Sequence, residues 1–294
     1  MADLRPMEFG EILDGALSLF RRHFGLFLKL SLTVMWVPIA FGLYFRARFF
    51  GAAGAGPEQA MAILQSEIVP IMLWFVVLAV FYVCAMLLLT AGSIRIISDS
   101  YLGRVPQFSE VWRFGVAKVV PLFLVGLGKG LLIAVVSVLC GIVFAVTIGL
   151  GKSLGAGMVA LLFLMEMAGS FWLVFYIVCG YMVTTPAVVL ESLPSAFDSF
   201  GRSWELTRDA KLRMLGLAVV GWLISSLLPA VVAQVVGAVV LQLIPSAQLF
   251  WSLVSSAFPI LVAPILPCIL TLAYYDLRVR REGFDLQLLS EQLG

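Results

Sequence analysis

Histidine occurs once in the 294 residues, at His23, and charge is scarce: Asp, Glu, Lys and Arg make up 12% of the chain, against about 25% in ordinary globular domains. A single histidine excludes a histidine-based metal cluster and a Ser-His-Asp relay. There is no G-x-S-x-G, Walker A or H-E-x-x-H motif either. No catalytic residue, metal ligand or cofactor-binding residue is therefore expected, and the chain reads as a non-enzyme. The four cysteines, Cys84, Cys140, Cys179 and Cys268, sit in apolar segments and never as C-x-x-C; they read as small buried hydrophobes and say little about redox compartment. A net charge of +2 with no strongly basic tract leaves nothing that points to nucleic acid. His23, beside Arg21 and Arg22, reads as an interfacial side chain.

What the chain has in excess is apolar surface. Hydrophobic residues are 62% of the sequence and the mean hydropathy is +1.08, too little polarity to cover a soluble core. Apolar runs near 24–45, 68–97, 119–150, 158–190, 214–244 and 247–275 reach or exceed the roughly 20 residues a helix needs to cross about 30 Å of hydrocarbon. The first run has no small-residue cleavage site at the usual distance and reads as an uncleaved first span. Runs of some 30 residues would make about 45 Å of straight helix, so they are expected to tilt, break or project beyond the lipid. Pro38, Pro186, Pro229, Pro259, Pro264 and Pro267 mark the expected kinks or ends, each removing a backbone donor and crowding the preceding turn. The sixth run, with three of these prolines, is the one least suited to a straight helix.

Six spans return the chain to the side it starts from. Of the 19 Lys and Arg, all but Arg46, Arg48, Lys152 and the intramembrane Lys129 then fall on or near one side. The excess of positive charge in cytoplasmic loops puts that side, with both termini, in the cytoplasm.

Three segments, before spans one, three and five, share a pattern: a proline, then a phenylalanine, then apolar residues at helical spacing. Phe9, Ile12, Leu13, Ala16 and Phe20 face away from Glu8, Glu11, Asp14, Arg21 and Arg22. Phe108, Val111, Trp112, Gly115 and Val119 face away from Glu110, Arg113 and Lys118. Leu193, Phe197, Phe200 and Trp204 face away from Asp198, Arg202, Glu205, Arg208 and Asp209. One apolar stripe against one charged face describes a helix lying in the membrane interface, with Phe9, Phe20, Phe108, Trp112, Phe197 and Trp204 as its anchors; Trp112 and Trp204 suit the headgroup level. The expected fold is an all-α polytopic membrane protein. Its six transmembrane helices form one membrane domain of three repeats, each an amphipathic interfacial helix plus a transmembrane hairpin. The units run over about 6–98, 106–190 and 194–276, followed by a short tail, 277–294.

The opening Leu4-Arg5-Pro6-Met7-Glu8-Phe9-Gly10-Glu11-Ile12-Leu13-Asp14-Gly15-Ala16, followed by Leu19-Phe20-Arg21-Arg22-His23-Phe24, resembles the start of bacterial glycerophosphoryl diester phosphodiesterase membrane-domain proteins. Ala196-Phe197, Ser203-Trp204-Glu205-Leu206-Thr207-Arg208 and the tail from Tyr274 to Leu286 extend the resemblance over the chain. It implies a bacterial inner-membrane protein. It does not carry the hydrolase activity, because the family's soluble domain uses two histidines with several acidic residues around a divalent metal, and this chain has neither those histidines nor a soluble stretch long enough for a barrel.

Two charges fall inside the runs. Lys129, between Gly128 and Gly130, lies roughly 15 Å into the third span and Glu166 about 12 Å into the fourth. If both helices start flush with the hydrocarbon, the side chains meet near the midplane. A charge there costs from about 2.5 kcal/mol upward and faces a partner, the bundle interior or a water-filled cavity. A structural Lys129–Glu166 pair, a polar cavity for an ion or small solute, and snorkelling to the interface all stand as readings. Gly126, Gly128 and Gly130 would permit close approach of a helix or ligand. On the cytoplasmic face the basic residues are nearly balanced by acids, including Asp3, Glu8, Glu191, Asp276, Glu282, Asp285 and Glu291. Such mixing disfavours simple capture of anionic lipid by a polybasic patch and suits salt bridges among the surface helices or docking of a partner.

The expected function is a scaffold or accessory subunit that organises lipid or a protein partner at the cytoplasmic face; the alternative is a small-solute transporter or channel using Lys129 and Glu166. On this topology, protease added to intact spheroplasts should spare tags at both chain ends and remove them only after the membrane is opened. Cleavage of either tag before opening refutes the orientation.

Overall fold

The computed structural model describes residues 5–50, 68–244 and 248–284, without the side chains of 45–50, 151–154, 156, 248, 249, 252, 253, 256 and 257. Leu4, Asp3, Asp285, Leu286, Glu291 and the rest of the expected tail beyond 284 lie outside the described residues, as do the side chains of Arg46, Arg48 and Lys152. The described residues form helices and no strand. In chain order these are α1 (Phe9–Arg22), α2 (Phe24–Phe50), α3 (Ile68–Tyr101), α4 (Phe108–Leu154), α5 (Ala156–Gly180), α6 (Thr184–Leu190), α7 (Asp198–Thr207), α8 (Lys211–Trp222), α9 (Leu228–Leu243), α10 (Gln248–Val262) and α11 (Ile265–Glu282), with a π-helical turn at Leu223–Leu227.

Six stretches are long and apolar enough to cross a membrane: Phe24–Tyr44, Ile68–Tyr101, Phe108–Leu150, Gly157–Leu190, Lys211–Leu243 and Phe258–Glu282. All six expected spans are present, and the fold is an all-α, multi-pass one. Three boundaries move by more than four residues: the third stretch opens at Phe108, not 119, and the sixth runs from Phe258 to Glu282, not from 247 to 275, so residues 277–282 are helical.

Proline and its neighbours decide where the long stretches bend. In the fifth, the Pro229 ring would strike the Ser225 carbonyl one turn back, and the helix widens there into the π turn Leu223–Leu227, the usual way of absorbing such an insertion. The fourth stretch stops at Gly180 and resumes at Thr184, two residues before Pro186. The sixth breaks between Val262 and Ile265, at Ala263-Pro264. Pro38, Pro121 and Pro259 are instead carried inside helices, each leaving one carbonyl of the preceding turn without its helical donor.

The chain forms two compact units, one chiefly of Met7–Val119 with Ala218–Leu272, the other of Val120–Leu217 with Ala273–Gly294. In the first unit, the Glu8 N–H donates to the Glu11 carboxylate at 2.7 Å and starts α1; His23, at φ −107° and ψ 20°, stops it. Ile12, Ala16 and Phe20 are buried, so the face expected to be apolar is the packed one, although Phe9 at its head stays exposed. A Cβ on Gly15 would lie 3.3 Å from the Leu272 side chain. Phe20 meets the Phe24 and Phe27 rings at 5.8 and 5.1 Å, which ties α1 to the start of α2.

The second expected surface helix is not a separate element. Residues 108–119 are the first three turns of α4, which runs unbroken for 47 residues, about 70 Å at 1.5 Å per residue. Its stripe is nonetheless used: Val111 is buried beside Gly92 of α3, where Leu30 of α2 also packs, and the Phe108 and Trp112 rings stack at 6.2 Å. Gly115 opposes the Leu88 carbonyl. No residue between Phe108 and Pro121 stops the helix as His23 stops α1, so span and surface segment fuse.

Gly92 has little room for a side chain, an added Cβ falling 2.6 Å from Leu30 Cδ2. Gly92→Phe should destabilise the protein by about 1–3 kcal/mol through overpacking, read as a lower melting temperature in detergent. Gly126→Ala, with nothing within 4 Å, should leave it unchanged or slightly raised.

Candidate functional site

The second unit holds both intramembrane candidates. Gly155, at φ 77°, is the single residue between α4 and α5; a left-handed backbone of that kind favours glycine. It folds the two helices into an antiparallel hairpin, with the Phe144 and Phe163 rings 4.4 Å apart and the Thr147 hydroxyl donating to Glu166 Oε1. Glu166 Oε2 is buried and has no hydrogen-bond partner. Lys129 instead donates from Nζ to Thr185 Oγ1 at 3.3 Å.

Thr147, which is level with Glu166, lies about 27 Å along α4 from Lys129 at 1.5 Å per residue. The two charges therefore do not share a midplane depth and do not pair. The flush-start assumption failed because α4 begins well before the hydrocarbon-length part of the hairpin. Lys129 sits at the end of that hairpin, opposite a threonine beyond the break at Gly180. Glu166 sits deep, about 16 Å from the Gly155 turn.

Beside Lys129 the helix α7 is docked. Of Gly126, Gly128 and Gly130, only Gly128 has a close neighbour: the Phe200 and Phe197 rings would lie 3.0 and 3.3 Å from a Cβ there. The indole of Trp204 covers Gly180, 2.4 Å from where a Cβ would stand. The fully buried face of α7 is not the expected aromatic stripe but Ser199, Ser203, Leu206 and Thr207, with Phe197 exposed. The reason lies in the end of α5. Its last carbonyls lack helical donors, and the Gly180 carbonyl accepts from the Ser203 and Thr207 hydroxyls at 2.8 and 3.1 Å. The hydrophobic pattern could not reveal this, since serine and threonine read as polar. The Lys211 ammonium, at the start of α8, lies 3.0 Å from the centre of the Tyr176 ring and 3.8 Å from that of Trp204, a cation–π arrangement.

Four acids of this unit, Glu191, Asp209, Asp276 and Glu282, are held by arginines. Arg202 of α7 donates through Nε to both oxygens of Glu191, at 2.9 and 3.0 Å, and through Nη2 to Glu282 of α11 at 2.8 Å. The Tyr274 hydroxyl donates to Glu191 and Arg278 Nε to Glu282 at 3.1 Å. The hydrogen bond to Glu282, with Glu191 adding to it against the cost of burial, raises the Arg202 pKa further above its ordinary value. In the second network the buried Asp276 accepts from Arg213 at 2.8 Å and Arg280 at 3.0 Å, and Asp209 accepts from Arg281.

Salt bridges occur, but these are not the ones expected among the surface helices: they form networks centred on Glu191, Glu282 and Asp276 that join α7 and α8 to α11 and to the end of α6. Only the Arg280–Asp276 and Arg278–Glu282 links, four residues apart on one helix, had a local signal. In the first unit Arg95 and Asp99 repeat that spacing at 2.8 Å. Among the described residues no group of three His, Cys, Asp or Glu is placed to hold a metal ion.

No protein-family model, curated protein or solved structure matches the chain.

Separation of the two intramembrane charges has a measurable consequence. In a double-mutant cycle of Lys129→Met and Glu166→Gln, the coupling free energy should stay within about 0.5 kcal/mol, as for distant sites; a larger value means the residues interact. Tyr274→Phe should cost about 1.5–3 kcal/mol for one lost hydrogen bond to a carboxylate, measured by unfolding in detergent.

Proposed function

We propose that this chain is a non-enzymatic protein of the bacterial cytoplasmic membrane, with both termini in the cytoplasm, that acts as a scaffold or accessory subunit organising lipid or a protein partner at the cytoplasmic face. The resemblance of its opening, its 196–208 segment and its tail to glycerophosphoryl diester phosphodiesterase membrane-domain proteins supports placing it with the membrane regions of that family, without their hydrolase. Three repeats of surface helix and hairpin remain the proposed organisation, with the second surface helix fused to its span.

The observation that carries the reading is how little the second and third spans bury of themselves: 6% of the apolar window in each lies inside the protein. Residues such as Leu73, Phe75, Leu131 and Leu139 face outward. Helices in a membrane associate by packing, and faces this bare are covered by lipid or by other helices. The transporter reading has less behind it, because Lys129 and Glu166 stand at different levels of one hairpin and engage separate threonines.

Extraction in mild detergent should recover the chain with a stoichiometric protein partner or with retained lipid. A clean, lipid-free monomer, stable by itself, would remove the basis of the proposal.

A further inference from the structure

The acids on the charged face are not spread evenly among its cations. Glu191 and Glu282 are drawn to Arg202 and Arg278. A cleft of about 740 Å³ beside them is lined by Arg208, Lys211, Arg213, Arg280 and Arg281, with Asp209 the single acid among the described residues of its wall. Asp276, which holds Arg213 and Arg280, is itself buried. Among the described residues five cations stand against two carboxylates here, an excess of positive charge. Its volume falls in the range of sites that hold a small ligand, about 300–1,000 Å³.

Three further features give the charge a direction. The cleft is built from the first turn of α8 and the last turns of α11, which are the ends of two candidate spans, Lys211–Leu243 and Phe258–Glu282. Span ends lie where a bilayer presents its phosphates. The first turn of α8 carries Lys211 and Arg213 and no acid, although the positive end of a helix dipole favours anions there and disfavours cations. That local cost is relieved by an anion. Finally, Arg208 is exposed and has no ion pair among the described residues, while Asp209 leaves most of its side chain in the open as it reaches Arg281. Lys211 points at the Tyr176 and Trp204 rings and adds field more than contact. The guanidinium groups of Arg208 and Arg281 are the ones placed to grip, in the planar fork that suits phosphate oxygens.

We propose that this cleft binds a phosphate ester anion, with Arg208 and Arg281 as its principal contacts. Leu212 and Leu277, also in the lining, give the ester substituent an apolar wall. The proposal deepens the lipid-organising role above and rests on it. It also departs from the expectation that mixed charge disfavours simple capture of anionic lipid, because arginine pairing elsewhere withdraws Glu191 and Glu282 from this place.

The test uses the full chain in a nonionic detergent, titrated calorimetrically with dioctanoyl phosphatidylglycerol, dioctanoyl phosphatidylcholine and inorganic phosphate. Dioctanoyl phosphatidylglycerol should bind saturably, more weakly as salt is added, and better than the zwitterionic lipid. Arg208→Gln with Arg281→Gln should weaken it about tenfold or more, as loss of two charge-assisted contacts implies, at an unchanged melting temperature. Arg113→Gln, an exposed cation elsewhere, should have no effect. Competition by inorganic phosphate identifies a soluble phosphate as the source, and absence of competition identifies a lipid headgroup. Absence of saturable binding, equal binding of the two lipids, or equal binding by wild type and the double variant overturns the proposal. The partner recovery described above is scored on the same preparation without added ligand, so loss of the anion site and loss of the scaffold role are told apart.

Discussion

Hydrocarbon offers a backbone carbonyl or a charge no water to turn to, and that deprivation governs this chain more than any single contact. Every polar group carried into the apolar stretches must find its partner within the protein or sit at an edge. Helices meet the demand for most of the backbone. What remains is settled at the places where helices stop, and those places carry most of the chain's specific polar chemistry.

The end of α5 shows how such a remainder shapes structure. Gly180 closes the helix with a carbonyl that has no helical donor, and two hydroxyls of α7 supply it. Because the residue is glycine, Trp204 can lie flat against it, which holds the hydroxyls in place and brings the indole beside Lys211. A helix that by pattern should rest on the membrane through its aromatic stripe is thereby held by serine and threonine. Its aromatics serve a neighbouring purpose, Phe197 and Phe200 filling the gap that Gly128 leaves in α4. Deep in the same hairpin, Glu166 is met by a single threonine on one oxygen, the least complete of these settlements.

What the sequence could reveal follows from the range over which each signal acts. The six apolar stretches were legible because burial in lipid is a property of composition over twenty residues, and the prolines near residues 229 and 264 foretold the π turn and the break because their clash is local. The packed face of α1, through Ile12, Ala16 and Phe20, was legible as a period. The fate of Lys129 and Glu166 was not: their depths were counted from assumed span starts, and the unbroken run of α4 from Phe108 moved that origin. The meeting of Glu191 with Arg202, Tyr274 and Glu282 has no local trace, since it depends on how α6, α7 and α11 come together. The apolar face expected of α7 failed for a related reason, because an orphaned carbonyl on another helix decided which side was buried.

Charge segregation follows from the same deprivation. Glu191 and Asp276 stand where water is thin, and a carboxylate left alone there is costly, so each draws an arginine and holds it. Arginine is suited to the task because its fork can serve two acids at once, as Arg202 does for Glu191 and Glu282. Asp276, more buried than Glu191, is held by two arginines. A composition almost neutral overall then yields a surface that is locally far from neutral, with cations outnumbering acids among the described residues that line the cleft at the start of α8 and the end of α11. Near-balance in sequence is therefore no guarantee of balance in space: the sorting is done by burial, which takes up acids faster than it takes up arginines.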